Sequence, residues 1–317
     1  MTILLSLAYA SYAIQVSDRL LTVEKGDGRF EPWDPVANKA VVLLGRDGLV
    51  NMAYTGPAHV GSVTTDEWLA RVLSGEDPSP DQSKYAFAHV FGRPARFLAA
   101  HLTDVVTRLN EAVASRSVTH RLAVDFVGLR WQNRGRRAWP VVGKIAWSLG
   151  NGGYRWSMCK RRWGWESGRA FLSGASGRSE RQARTLLRGR LACVDLRDRD
   201  QAIAAMIDVL RSLPPHDPTV GKDCMVTTIQ RSSPHASIRY EPYDVRQISV
   251  VFGGQTVALE AAFTPWIVTP ETIVAPSEIV GHGFTFSSGG LDFRVEDPSP
   301  GTDITIMRGL KTRQWRR

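Results

Sequence analysis

Thr2-Ile3-Leu4-Leu5-Ser6-Leu7-Ala8, followed after Ala10-Ser11 by Tyr12-Ala13-Ile14-Gln15-Val16 and Ser17-Asp18-Arg19, is the stretch whose reading decides the fold. The run from Ile3 to Ala8 is apolar enough for a buried strand, and Tyr12 to Val16 reads as its return after a short turn. A tight hairpin sets Thr2, at the start of the first strand, beside Asp18, at the end of the second. Because residue 2 is small, Met1 is expected to be trimmed, which leaves a hydroxyl nucleophile and a free α-amine on one residue. An α-amine titrates near ~7.7–8.0, against ~10.4 for lysine, so it serves as a general base close to neutral pH. Asp18 is placed to orient a neighbouring cation or the nucleophile itself.

Outward from the hairpin, a loop rich in Gly, Pro and Asp (Gly26 to Pro35) leads to Asn38-Lys39-Ala40-Val41-Val42-Leu43-Leu44, read as a third strand. Lys39 beside Asp18 would hold a positive potential over Thr2, depressing the pKa of the amine and favouring the deprotonated hydroxyl. Leu49-Val50-Asn51-Met52-Ala53-Tyr54-Thr55-Gly56 follows, then Pro57, then a helix from Thr64-Thr65-Asp66-Glu67-Trp68-Leu69. Gly56 ends its strand where a backbone N–H can face a substrate carbonyl as an oxyanion hole.

In the order of these features the chain resembles proteasome β-type subunits and the bacterial relatives that start directly with Met-Thr. The features are Thr2, Ser17-Asp18-Arg19, Asn38-Lys39, and Ala53-Tyr54-Thr55-Gly56 before a helix. In the second half, Phe171-Leu172-Ser173-Gly174-Ala175-Ser176-Gly177 resembles the family's Gly-Ser-Gly turn, with Ser176 at the serine near the nucleophile. Asp217-Pro218-Thr219-Val220-Gly221 resembles its aspartate-x-x-serine-glycine element; Asp217 and Gly221 match, and Val220 replaces the serine. The resemblance spans residues 2 to about 75 and about 169 to 231. It implies an α+β fold, a four-layer αββα sandwich of the N-terminal-nucleophile (Ntn) hydrolase type. It also implies cleavage of amide bonds in a peptide or small amide substrate and assembly into a homo-oligomer. The sequence has no glycine-rich phosphate loop ending in Lys-Ser or Lys-Thr, so any ATP-driven unfolding would need a separate ATPase partner.

At 317 residues with 43% hydrophobic content, the chain can bury a sizeable core. Residues 1–244 are expected to form the main domain, with 118–168 as a Trp- and Arg-rich insert or elaborated strands. Residues 245–317 read as a β-rich extension ending in the basic tail Lys311-Thr312-Arg313-Gln314-Trp315-Arg316-Arg317. Helical spacing marks Ala95 to Val113, Ser179 to Leu187 and Asp200 to Leu210, the last stopped by Pro214-Pro215. Cys159, Cys193 and Cys224 are odd in number and far apart, which fits reduced thiols in the cytoplasm better than a disulfide framework. The histidines are scattered, so neither a metal nor another cofactor is expected. No Lys or Arg precedes the short apolar run at Ile3, which disfavours a signal peptide, and no stretch reaches the ~18 apolar residues of a membrane span.

With a net charge of +9, nucleic acid is a partner to weigh, because Trp131, Trp139, Trp147, Trp156, Trp163 and Trp165 alternate with Arg130, Arg134, Arg136, Arg137, Lys160, Arg161 and Arg162. A sheet with Trp toward the core and Arg toward water explains the same pattern and is preferred, because no recognised nucleic-acid motif accompanies it. The leading expectation is an N-terminal-threonine amidohydrolase with Thr2 as nucleophile, Gly56 as oxyanion donor, Lys39 and Asp18 setting the potential, and Ser176 and Asp217 in support. The alternative is a non-catalytic binding or assembly protein of the same fold, contacting an acidic partner or nucleic acid, motivated by Val220, the insert and the extension.

Overall fold

The computed structural model of the chain describes residues 3–25, 29–34, 37–76, 78, 88–90, 94–118, 121–132, 137–159, 172–177, 179–213, 217, 219–231, 236–241, 243, 247–252, 255–263, 265–270, 272–274, 278–280, 285–288, 291–295 and 303–308. Thr2 lies outside them, as do Trp163, Trp165, the 133–136 connection and the basic tail.

The first hairpin is β1 (Leu4–Ala8) and β2 (Tyr12–Asp18), in the register Leu4↔Ser17 to Ala8↔Ala13. Every residue of both strands is buried. A strand covered on both faces reads as a continuous apolar run, which is why Ile3 to Ala8 shows little alternation. After a small hairpin of Leu21–Glu24 and Phe30–Asp34 comes that of β3 (Ala40–Gly45) and β4 (Gly48–Thr55). Next in the chain come helix α1 (Thr65–Ser74), helix α2 (Leu98–Ala114), and the meander β5 (Ala123–Gln132), β6 (Arg137–Ser148), β7 (Gly153–Cys159). Strand β8 (Leu172–Ser176) precedes helices α3 (Glu180–Ala192) and α4 (Arg199–Arg211), and β9 (Cys224–Gln230) and β10 (Ala236–Glu241) form a further hairpin.

The architecture is α+β, with four helices among the described residues and two eight-stranded sheets. The first sheet runs β8-β1-β2-β9-β10 and continues through Asp303–Arg308, Leu291–Val295 and Thr285–Ser288. The second runs β7-β6-β5-β4-β3, then β11 (Trp266–Val268), Thr272–Val274 and Ala88–Val90. It is mixed, because β11 pairs parallel to β3 with Trp266 opposite Val41. Strands from the C-terminal third therefore extend both sheets.

Side chains alternate across each strand, so each sheet feeds two cores. Leu5 and Leu7 of β1, with Ile14 and Val16 of β2, join Leu187 of α3 and Met206 and Leu210 of α4. Leu4, one position over, joins Val42, Leu49, Leu129, Met225 and Ile238, a cluster drawn from both sheets. On the other side of the second sheet, Met52, Phe126 and Ile145 meet Trp68 and Leu69 of α1 and Leu102 and Val105 of α2. Burying each such side chain contributes on the order of 2 kcal/mol. Among the tryptophans, Trp131 is buried with its indole N–H donating to the Arg46 carbonyl at 3.0 Å, while Trp139, Trp147 and Trp156 are partly buried against the same core as α2. These four rings serve packing.

Gly56 closes β4 at φ +109°, and a Cβ there would stand 2.6 Å from the Arg121 carbonyl oxygen. The glycine is required by this approach as well as by its dihedral. Gly56→Ala should cost about 2–4 kcal/mol in urea unfolding at unchanged m-value; a loss under about 0.5 kcal/mol would contradict the close approach. No described helix is long and apolar enough to cross a membrane.

Candidate active site at the start of the first strand

Asp18 ends β2 with its carboxylate fully buried and is held from four directions. Its Oδ1 accepts the backbone N–H of Ile3 at 2.9 Å. Its Oδ2 accepts from the Lys39 ammonium at 3.1 Å, the Gly221 N–H at 3.1 Å and the Leu20 N–H at 3.2 Å. The Lys39 Nζ also donates to the Leu20 carbonyl at 2.5 Å, and its side chain is 0% exposed. Burial pushes the Lys39 ammonium below the ordinary lysine range, while the Asp18 charge and hydrogen bond pull it back. The expected pairing of Asp18 and Lys39 is thus present, and the N–H of the residue after Thr2 is tied to it.

Lys39 reaches this point because the chain before β3 is anchored. Asn38 Nδ2 donates to Asp66 Oδ2 at 3.0 Å at the start of α1, and the Trp266 indole donates to the same oxygen at 3.0 Å. Gly221 reaches Asp18 through a similar device. Asp217 accepts from Thr219 N–H at 3.1 Å and Thr219 Oγ1 at 2.5 Å, curling the chain, while its other oxygen accepts from Ser179 at 2.6 Å. A Cβ on Gly221 would lie 2.7 Å from Leu20 Cβ, so only glycine brings this N–H onto the carboxylate. Asp217 is thus placed as a bracket for the loop and for the residue ahead of α3. Val220 is buried among α4 residues.

Ser176 stands opposite Leu4 in the last rung of the β1–β8 ladder and is 1% exposed. It lies at the end of a strand, with Gly177 beyond it at φ +131°. Its hydroxyl accepts from Lys144 Nζ at 2.9 Å. Lys144 is the register partner of Asp125, and its ammonium lies 3.6 Å from Glu180 of α3. Neither Asp125 nor Lys144 was among the expected site residues. Asp125 is the one polar residue in its row with Ala123, Val127, Leu129 and Trp131, and Lys144 stands between Val142 and Ala146, which was the available signal.

No protein-family model matches the chain, and no curated protein does. Among solved structures, the chain is similar to an Anbu (Gly-1) mutant from Hyphomicrobium sp. strain MC1, at 14% identity over 73% of this chain and 82% of that one, with a TM-score of 0.45. It is also similar to Anbu (ancestral beta-subunit) from Yersinia bercovieri, at 12% identity over 71% and 80% of the two chains, with a TM-score of 0.44. No family membership follows. The expected assignment to proteasome β-type subunits and the threonine-nucleophile Ntn hydrolases is thereby corrected, because short motifs in order are not matched by any family model or close relative. The chemistry of this site stands on its own residues.

Burial raises the Asp125 carboxyl to about 6, against the pull of the Lys144 charge and the Ser176 hydroxyl. An unfolded aspartate titrates near ~3.9, so between those values the folded chain holds a proton that the unfolded chain releases. Stability is therefore lost as pH rises from about 4 through about 6. Asp125→Asn removes this penalty and should be more stable than the parent at pH 8, by up to about 3 kcal/mol, with no comparable gain at pH 4. Urea unfolding at the two pH values checks it, and an equal change at both would refute the assignment.

Proposed function

We propose that the chain is an N-terminal-threonine amidohydrolase acting on a peptide or small amide substrate once it is trimmed to begin at Thr2. The observation that carries the reading is the fully buried Asp18–Lys39 pair, whose carboxylate also grips the N–H of Ile3. A charged pair held this dry is costly for folding alone, and its carboxylate holds the N–H of the residue that follows Thr2 in the chain.

In this reading the Thr2 hydroxyl attacks the substrate carbonyl carbon, and its own amine takes the proton directly or through a water. The Lys39 charge lowers the pKa of that amine and favours the alkoxide. The Gly56 N–H stabilises the tetrahedral oxyanion, and the protonated amine then delivers its proton to the leaving nitrogen. Water hydrolyses the acyl-enzyme on Thr2. Ser176 and Asp217 support this centre from β8 and from the loop carrying Gly221. The helix pairs on the outer faces of two facing sheets fit a four-layer αββα sandwich, which opens such a site at the ends of the strands.

The test is to release the chain with Thr2 first, treat it with an electrophilic β-lactone, and locate the adduct by peptide mass spectrometry. Label on the Thr2 peptide supports the reading, and label absent or elsewhere overturns it. The burial of Val220 among apolar side chains, where a hydroxyl was expected, favours a second reading: a non-catalytic binding or assembly protein. A retained Met1 would support that one.

A further inference from the structure

Two buried polar atoms in the seam between the sheets have no hydrogen-bond partner among the described residues: Asn51 Oδ1 and Thr227 Oγ1. Asn51 of β4 is 2% exposed and Thr227 of β9 is 1% exposed. Leu49 and Ala53 flank Asn51 along β4, and Met225 and Ile229 flank Thr227 along β9, all four in the apolar cluster drawn from both sheets. Inside this apolar surround lies one polar patch. Ser6 of β1, Gln15 of β2 and Thr227 stand side by side across three neighbouring strands of the first sheet, and Asn51 and Asp125 meet them from the second. Gln15 Nε2 donates to Ser6 Oγ at 3.1 Å and to the Asp125 backbone carbonyl at 3.3 Å, while Asn51 Nδ2 donates to Gln15 Oε1 at 2.6 Å.

The orientation of both amides is forced. A backbone carbonyl only accepts, so the Gln15 group facing Asp125 is its NH2, which turns Gln15 Oε1 toward Asn51. Asn51 answers with its own NH2, and its oxygen is left over. Thr227 is the register partner of Gln15, so its Cβ stands about 4.5–5.5 Å from that of the same residue. An amide oxygen and a hydroxyl left dry and unbonded both weigh against folding. We propose that this patch is a binding site for a single internal water molecule. The water donates to Asn51 Oδ1 and to the second lone pair of Gln15 Oε1, and it accepts from the Thr227 hydroxyl, which gives it three partners. Water is the ligand this chemistry selects. Its partners are two amide oxygens and a hydroxyl, all neutral, so an ion would carry an uncompensated charge into the apolar seam. The water joins β9 of the first sheet to β4 of the second, which share no direct hydrogen bond among the described residues, and so holds the two sheets in one lateral alignment.

The experiment uses the full chain as parent, Thr227→Val, Thr227→Ser, Asn51→Leu and the Thr227→Val/Asn51→Leu double variant. A crystal structure of the parent should show a water within hydrogen-bond distance of both Asn51 Oδ1 and Thr227 Oγ1. Long-lived internal waters are counted in solution by water-oxygen magnetic relaxation dispersion, and the count should fall by one in Thr227→Val and stay at the parent value in Thr227→Ser. In urea unfolding, Thr227→Val should lower the ratio of folded to unfolded chain on the order of tenfold. The double variant should lose less than the two single losses combined, because one water serves both atoms. The proposal is overturned by a parent structure in which no water bonds both atoms, by a water count that Thr227→Val leaves unchanged, or by additive losses in the cycle. If Asn51→Leu does not fold, the parent structure and the water count of Thr227→Val decide the matter without it.

Discussion

Thr2→Ala, released to begin at residue 2, folds like the parent and hydrolyses no amide above background. The two side chains differ by a hydroxyl and a methyl group, and among the described residues the fixed point at this end is the Ile3 N–H on Asp18. Deleting the nucleophile of a covalent mechanism removes the step itself, so the expected loss in kcat is on the order of 10³-fold or more. Thr2→Ser keeps the hydroxyl and should retain measurable turnover and labelling. Circular dichroism and urea midpoints confirm the fold, and turnover of a fluorogenic amide reads the activity. Parent-like hydrolysis by a correctly folded Thr2→Ala would end the assignment.

Breaking the Asp18–Lys39 pair is the second large effect. Both side chains are 0% exposed, so removing one leaves the other's charge in a dry site without its partner. Such a change typically costs about 3–5 kcal/mol, a large part of a domain's net stability. Lys39→Met leaves the Asp18 carboxylate with three backbone N–H donors, from Ile3, Leu20 and Gly221, whereas Asp18→Asn removes the counter-charge of a buried ammonium and turns an amide NH2 toward groups that are themselves donors. Asp18→Asn is therefore the more damaging single change. The double variant should lose less than the sum of the two, because the second removal takes away an already stranded charge. Urea unfolding of the four proteins closes the cycle, and additive losses would show that the charges are not coupled.

The parts of the fold that could be read along the chain were local. The hairpin of β1 and β2, the strand carrying Lys39 and the helices α2, α3 and α4 follow from residue periodicity within each segment. Asp18 and Lys39 were legible because they flank such segments. Asp125 and Lys144 were not, because their meeting depends on the β5–β6 register, and a one-residue slip would turn both to the opposite face. Nor was the pairing of Trp266 with Val41 legible, since neither segment carries a mark of its partner. Motif order suggested a family that no family model and no curated relative matches, because short glycine and aspartate motifs recur wherever strands meet turns.

The parallel ladder between β3 and Trp266–Val268 has a consequence for synthesis. Leu43 leaves the ribosome 225 residues ahead of its partner Val268. At about 5–20 residues per second, this is a delay of roughly 10–45 seconds during which an apolar strand edge has no neighbour. A nascent chain stalled before residue 266 thus offers Val41, Val42 and Leu43 to any other strand nearby. The late arrival of three residues, Trp266, Ile267 and Val268, ends that exposure, which makes the C-terminal third a guard against misassembly as well as a part of the sheet.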